Sequence, residues 1–395
     1  MLHADSQNPL LWLRGDRGCV GLGEALRLVF RGKDRFAEAS AAWQRIAAAA
    51  GIDDTVNLPG SGLVAFGTFT FDDESDAESV LIVPQLLVAR HGDRAWVTEV
   101  STEPLDQPRK LPPTRARGTW SGTTLDTLTN DSDYLRGVDK AAALIERGEE
   151  EKVVLARTVT TSIDAAADLR VPLGRLAYNY TDCWTYAVDG MIGASPETLV
   201  RQTDGLITAR VLAGTRGRRE QPESDQLMRD ELLASEKEQH EHAFAVQSVV
   251  TALAPHVSEL HTSERPFALE LPNVWHLATD LEAVPGDGSS TIDLVAALHP
   301  TAAVAGTPTR DAVAAISQLE PFDRERYAGA TGWVDASGDG EWVIALRGAQ
   351  IREPHDGQRQ VVAYAGGGIV AGSDPEHELR ETVSKFRPIA EALAP

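Results

Sequence analysis

Glu378, Glu381 and Lys385 stand at positions i, i+3 and i+7 of a stretch that reads as a helix, so they share one face. Two carboxylates on one stripe suit a hard cation such as Mg²⁺. The lysine suits an anion. So do the backbone N–H groups of Gly366, Gly367 and Gly368 just upstream, where three glycines let the chain approach a ligand closely. A carboxylate bridged by a metal ion would satisfy both sides. The same residues also read as a capped surface helix with a solvated charge stripe behind a glycine-rich turn.

A second Glu-x-x-Glu pair, Glu238 and Glu241, lies within Ser235-Glu-Lys-Glu-Gln-His-Glu-His242. Two helices that each present such a pair could close an all-carboxylate, water-completed Mg²⁺ site. A solvated acidic helix is the plain alternative, and His240 and His242 raise a softer metal as a third. Lys152 opens an otherwise apolar strand, Val153-Val154-Leu155-Ala156. Pointing inward, it would be desolvated and could act as a general base. Glu149, Glu150 and Glu151 pull the other way, and an ordinary lysine at a strand end is the alternative. Glu197, in Gly193-Ala-Ser-Pro-Glu197, can be a general acid if burial raises its pKa, or simply a turn residue. Arg347 lies in so apolar a run, 342–348, that it needs a partner. A bound carboxylate, supported by the Tyr327 hydroxyl, is one candidate and an internal ion pair the other. His276, in Val274-Trp-His-Leu277, reads by default as a satisfied core histidine.

The elements that must position these groups belong to a globular chain of 395 residues with 42% hydrophobic content. Net charge is −22, from 37 basic and 59 acidic residues, which argues against nucleic acid or an anionic membrane as partner. Two cysteines, Cys19 and Cys183, make neither a disulfide framework nor a zinc motif. There is no apolar run of membrane-spanning length and no signal-peptide pattern, so a cytoplasmic location is expected.

Residues 10–31 read as strand, glycine-rich turn, then strand or short helix. Residues 33–50 read as a helix, and 64–71, 80–89 and 95–100 as strands. Pro104, Pro108, Pro112 and Pro113 mark 101–122 as a connector and the best candidate boundary. Ser132 can cap a helix that Gly148 ends. A strand over 152–160 and a short helix over 173–180 follow, then hairpins about Asp189-Gly190 and Asp204-Gly205. After them come a loop at 213–217 and one long helix over 223–255. Strands are expected over 274–280, 332–335, 341–351 and 360–364. Helices are expected near 291–298, 309–319 and 375–393, the last capped by Ser373 or Asp374 with Pro375 at its first position. Hairpins punctuated by helices favour an α+β layered fold over a doubly wound sheet.

Nine stretches, taken together and in order, resemble the chorismate-utilising enzymes: isochorismate, salicylate and anthranilate synthases and aminodeoxychorismate synthase. They are Lys152-Val-Val-Leu-Ala-Arg157, Gly193-Ala-Ser-Pro-Glu197, Leu212-Ala-Gly-Thr-Arg216, Glu238-Gln-His-Glu-His242, Val274-Trp-His-Leu277, His299-Pro-Thr-Ala-Ala-Val-Ala-Gly306, Tyr327-Ala-Gly329, Ala345-Leu-Arg347 and the segment 365–385. The first ~100 residues match only by strand pattern. The resemblance implies two large antiparallel sheets, sandwiched and flanked by helices. It implies one composite unit over 1–395, with 1–120 a mostly β part and 121–395 carrying every motif.

The resemblance also implies Mg²⁺ and chorismate. Glu241 and Glu381 look like direct ligands, with Glu238 and Glu378 acting through water. Lys385 and Gly366, Gly367 and Gly368 look like the ring-carboxylate site, and Arg347 and Tyr327 like the enolpyruvyl-carboxylate site. Gly214, Thr215 and His276 line the pocket. Lys152 matches the water-activating lysine of isochorismate and salicylate synthases, with Glu197 as the opposing acid. Anthranilate synthases typically carry glutamine where Lys152 stands, and aminodeoxychorismate synthases a nucleophilic lysine where Ala213 stands. Water is therefore the expected nucleophile, and no glutamine amidotransferase subunit is expected. Isochorismate formation is the leading expectation. Salicylate formation is the near rival, against which Ala302-Ala303-Val304 leans, and a non-catalytic metabolite-binding or metal-binding protein on the same scaffold is the distant one.

Overall fold

The computed structural model describes residues 1–105, 109–128, 131–219, 221–270 and 274–395. Local turn chemistry explains why so much of it is antiparallel. At Asp189-Gly190 and at Asp204-Gly205 both central residues have positive φ, the twist that closes a two-residue hairpin. The first turn joins Trp184–Val188 to Met191–Ser195, and the second joins Thr198–Thr203 to Leu206–Gly217.

Strands of this kind assemble into two ten-stranded sheets. From edge to edge the first runs Gly306–Thr307, Lys152–Asp164, Gln358–Ile369, Gly348–Ile351, Met191–Ser195, Trp184–Val188, Leu10–Arg14, Arg17–Leu22, Leu86–His91, Arg94–Glu99. The second runs Val257–Thr262, Val274–Pro285, Leu206–Gly217, Thr198–Thr203, Gly340–Ile344, Ala330–Asp335, Val64–Thr68, Ser79–Val83, Leu26–Phe30, with Phe267–Glu270 also paired to Val274–Pro285. Among the described residues every strand pair is antiparallel, and the α+β expectation of two sheets flanked by helices holds. Strands from the first hundred residues enter both sheets.

The two sheets meet through Trp12, Tyr186 and Met191 on one side and Phe66, Trp333 and Val343 on the other. Helices Arg170–Asn179 and Pro375–Leu393 cover the outer face of the first sheet, burying Leu173, Leu176, Phe386 and Ile389 against Ala349 and Ala363. Helices Arg35–Ala49 and Thr291–Leu298 cover the second, with Trp43, Ile292 and Val295 in the same core as Val200 and Trp342. An aromatic side chain buries about 150–250 Å², so each contributes roughly 4–6 kcal/mol of transfer free energy.

Several local expectations change. Residues 10–31 form three strands, and 80–89 breaks at Pro84-Gln85 into strands that enter different sheets. The helix Ser132–Glu146 is capped by Asp131, whose side chain accepts from the N–H of Asp133 and Tyr134. The last helix is capped by Asp374, whose carboxylate accepts from His377 N–H at 2.8 Å, and Pro375 takes its first turn. The stretch 223–255 is two helices, Pro222–Ala234 and Glu236–Leu253, because Ser235 leaves helical geometry to cap the second. Residues 213–217 are strand, not loop, with a bulge between Leu212 and Thr215. The 341–351 run is two strands in different sheets. The glycines 366–368 lie within the strand Gln358–Ile369. In the proline-rich connector Pro108 lies outside the described residues. Buried Arg170, paired to Asp168, donates to the carbonyls of Arg115 and Ala116 and so ties the connector to the fold.

Candidate active site

The chain crosses from one sheet to the other at two adjacent points, and each crossing carries a site residue. Met191–Ser195 of the first sheet leads through Glu197 into Thr198–Thr203 of the second. Gly340–Ile344 of the second leads through Ala345, Leu346 and Arg347 into Gly348–Ile351 of the first. The crossings are stitched together. Ile344 N–H donates to Glu197 O at 3.1 Å, and Ser195 Oγ donates to Ile344 O at 2.6 Å. Tyr186 Oη donates to Leu346 O at 3.0 Å. Arg347 turns the corner with φ 54, a left-handed conformation that a non-glycine residue holds only where its surroundings demand it.

Burial pushes the Glu197 carboxyl up to about 7, although the charges of Lys152 and Arg347 oppose the rise. Burial also pulls Arg347 and Lys152 below their ordinary values. Around the Lys152 amine, Glu241, Glu197 and Glu238 resist that fall and Lys385 assists it. Among the described residues, none accepts a hydrogen bond from the Arg347 guanidinium, which suits an external carboxylate better than an internal ion pair. Tyr327 lies within range of its charge, stacked on Tyr364 at 5.0 Å, with its phenol pushed up to about 12 by burial. Glu197 also walls a cavity of about 450 Å³, together with Leu212, Ala302, Ala303, Val313 and Ile344.

The glycine strand is narrower as an anion site than the sequence suggested. Gly366 lies opposite Ala156 and Gly368 opposite Val154. Ala156 N–H goes to Glu320 and Val154 N–H to Ala305 O, both away from this strand. Directly opposed residues of an antiparallel pair face alike, so Gly366 and Gly368 turn their amides outward while Gly367 bonds to Leu155. Pairing with Gly348–Ile351 on that outer side reaches only Ala363. Two of the three amides therefore have no backbone partner among the described residues, and Lys385 Nζ donates to the Gly366 carbonyl at 2.8 Å.

A Cβ on Gly368 would stand 2.7 Å from Lys152 Cε. Gly368→Ala is expected to leave the melting temperature nearly unchanged, because the clash falls on a flexible side chain. It is expected to lower activity about a hundredfold, because the amine is displaced by an ångström or so. Equal activity in a purified, folded variant would show that Lys152 needs no such clearance.

Four glutamates were expected to gather at a metal. Glu378 and Glu381 do lie together, joined by His377, with one potential ligand atom from each within 4.8 Å of the others. Burial raises Glu378, with Glu381 adding to the rise. Burial pushes Glu381 up too, but Lys385 at 2.6 Å outweighs it and leaves that carboxyl below its ordinary value. Two carboxylates share one lysine, and the buried Tyr134 hydroxyl beside them has no partner among the described residues. Such an oxygen-rich, charge-deficient pocket suits a hard divalent cation. From the other helix, Glu238 is held by Arg216 at 2.7 Å, and the charge of Glu241 bears on Lys152.

The strand bulge supplies the remaining wall. Gly214 has φ 85, and a Cβ there would meet Glu238 Oε2 at 3.0 Å. His276 Nδ1 lies 2.9 Å from the Thr215 hydroxyl and 3.3 Å from Gly214 O, and burial takes its imidazole down to about 4. His242 is a brace rather than a ligand. Its Nδ1–H donates to Ala213 O at 3.1 Å while Nε2 accepts from Thr279 Oγ1 at 2.7 Å. That role, the Tyr134 hydroxyl and His377 were not legible in the sequence.

Two antiparallel sheets joined beside a buried lysine drawn below its ordinary pKa, a carboxyl pushed up to about 7 and an arginine with no hydrogen-bond acceptor among the described residues define an α+β protein with the groups for acid–base chemistry on a small anion. The family model described as chorismate binding enzyme matches residues 3–394, and the chain belongs to that family. It is 39% identical over 273 residues to isochorismate synthase DhbC of Bacillus subtilis, covering 66% of this chain and 67% of the relative. It is 32% identical over 422 residues to the salicylate biosynthesis isochorismate synthase of Pseudomonas aeruginosa, covering 99% and 86%. Among solved structures it resembles MenF, the menaquinone-specific isochorismate synthase of Escherichia coli, with TM-score 0.78, 26% identity and coverage of 99% and 90%. Among the described residues no helix is long and apolar enough to cross a membrane.

Proposed function

We propose that this chain converts chorismate to isochorismate, moving a hydroxyl from C4 to C2 of the ring. The observation that carries the reading is the pair Lys152 and Glu197. Both are pushed toward their neutral forms in one buried site, the lysine downward and the glutamate up to about 7. A pair so tuned supplies a base and an acid at once. The names of the relatives point the same way.

Lys152 takes a proton from water as the water oxygen bonds to C2. The ring double bonds shift, the C4–oxygen bond breaks, and Glu197 protonates the departing hydroxyl, which leaves as water. One water enters and one leaves, so substrate and product are isomers and the reaction runs both ways. Arg347 and Tyr327 hold the enolpyruvyl carboxylate. Lys385 and the amides of Gly366 and Gly368 hold the ring carboxylate, with Gly214, Thr215 and His276 along the wall. Glu241 and Glu381, with Glu238 and Glu378 acting through water, would hold a Mg²⁺, which would supply electron withdrawal at the ring carboxylate. Water rather than ammonia is the nucleophile, since the position of Lys152 holds no glutamine and position 213 no lysine.

The test is incubation with chorismate and Mg²⁺ followed by chromatography. Isochorismate as the sole product supports the reading. Salicylate and pyruvate in equal amounts would support the lyase rival, and no product would overturn both. Activity is expected to vanish in excess EDTA. Glu241→Gln and Glu381→Gln are each expected to raise the Mg²⁺ needed for half-maximal rate at least about tenfold, as loss of one charged ligand does. Their circular dichroism should stay unchanged. Full turnover in EDTA would remove the metal from the reading.

A further inference from the structure

The most deeply buried ion pair near the site belongs to neither the acid–base pair nor the carboxylate cluster. Arg324 and Glu320 are 3% exposed at each side chain and meet at 2.6 Å. Four of the five guanidinium N–H groups are used. Nε and Nη2 donate to the Glu320 carboxylate, Nη2 also to Val154 O at 2.7 Å, and Nη1 to Val304 O at 2.8 Å. Glu320 in turn accepts from Ala156 N–H at 2.7 Å. The arginine lies over Phe71, and its carbonyl accepts from Tyr327 N–H at 2.9 Å.

Each segment held this way carries part of the site. Val154 and Ala156 belong to the strand that Lys152 opens. Val304 follows Ala302 and Ala303, which wall the cavity at Glu197. Tyr327 sits beside Arg347. A buried ion pair is a poor means of stabilising a fold, because desolvation offsets most of its attraction and apolar residues of equal volume often do as well or better. What it offers instead is direction: Nη1 and Nη2 reach two backbone carbonyls on different segments and fix their separation.

We propose that Glu320 and Arg324 are positioning residues that lock the Lys152 strand against the 301–305 segment and Tyr327, and so set where the Lys152 amine stands relative to Glu197. The proposal rests on the reading of Lys152 as the base. Loosening the lock admits water around the amine; Tyr327, whose ring lies 6.0 Å from the Arg324 guanidinium, keeps the hydrogen bond from its N–H to the Arg324 carbonyl.

The experiment uses the double variant Glu320→Met/Arg324→Met, which removes both charges at similar volume, and the single variant Arg324→Lys. The pH dependence of Lys152 acetylation by acetic anhydride is followed by mass spectrometry, with kcat and KM measured alongside. The double variant is expected to melt within a few degrees of the parent. Its Lys152 midpoint should rise by at least about one pH unit toward the ordinary lysine value. Its kcat should fall at least about tenfold, with KM changed less than about threefold. Arg324→Lys should fall between, and it decides the matter alone if the double variant does not fold. A folded variant whose Lys152 midpoint and kcat both match the parent overturns the proposal. The acetylation readout needs no turnover, so a parent protein that makes no isochorismate would retire the functional reading and leave the positioning test standing.

Discussion

Lys152→Ala is expected to lower isochorismate formation by at least about 10²–10⁴-fold, the usual contribution of a positioned general base. At pH 7 an ordinary lysine is neutral in only about one molecule in 2,500, so the base must work with a depressed pKa. Burial supplies that depression here, with Lys385 assisting. Chorismate should still bind in the presence of Mg²⁺, because Arg347, Lys385 and the two outward glycine amides are untouched. Steady-state rates together with calorimetric binding check both halves. Turnover near that of the parent would place the base elsewhere, and His276, neutral in the same wall, would be the first alternative.

Glu197→Gln is expected to cost about as much, and its pH profile carries more information than its rate. The working state needs Lys152 neutral and Glu197 protonated, one proton shared between two groups. Well below pH 7 both hold protons and the base is lost. Above the lysine's own pKa neither does, and the acid is lost. With Glu197 at about 7, kcat/KM of the parent should therefore rise through an acid limb near pH 7. It should then level and fall along an alkaline limb below the ~10.4 of a free lysine. In Glu197→Gln the alkaline limb should vanish, and the residual rate should climb until Lys152 is fully neutral. A parent profile that is flat from pH 6 to pH 8 would contradict the pairing.

Much of the positioning was readable because it is local. A helix starting near Asp374-Pro375 needs only a cap and an N-terminal proline, and it sets Glu378, Glu381 and Lys385 on one face. The hairpins at Asp189-Gly190 and Asp204-Gly205 needed only two residues that tolerate positive φ. What failed to show is long-range. An apolar run such as 341–351 looks the same whether it stays in one sheet or changes sheets, and the left-handed turn at Arg347 has no glycine to announce it. Three successive glycines read as a loop because glycine weakens strands. Here they lie in a strand whose packing requires glycine at 366, since a Cβ there would lie 2.5 Å from Leu155 O, a crowding visible only once the partner strand is known. The break at Ser235 did leave a trace, the Ser-x-x-Glu spacing of a helix start, outweighed by the helical residues on either side. The Glu320–Arg324 lock left none, since an i, i+4 ion pair is indistinguishable in sequence from a surface one.

The strand that Lys152 opens is paired on one side by Gly306–Thr307 and on the other by Gln358–Ile369. Both partners are made long after it. On a ribosome adding about 5–20 residues per second, the ~200 residues up to its long partner take about 10–40 s to emerge. Until residues 305–307 emerge, Val153, Val154, Leu155 and Ala156 have no ladder to join, and until 358–369 emerge one edge of them stays open to the wrong neighbour. The site comes into being only when its last strand and helix arrive. A ribosome that stalls anywhere before residue 358 releases a product with neither the outward glycine amides nor the Glu378–Glu381 pair.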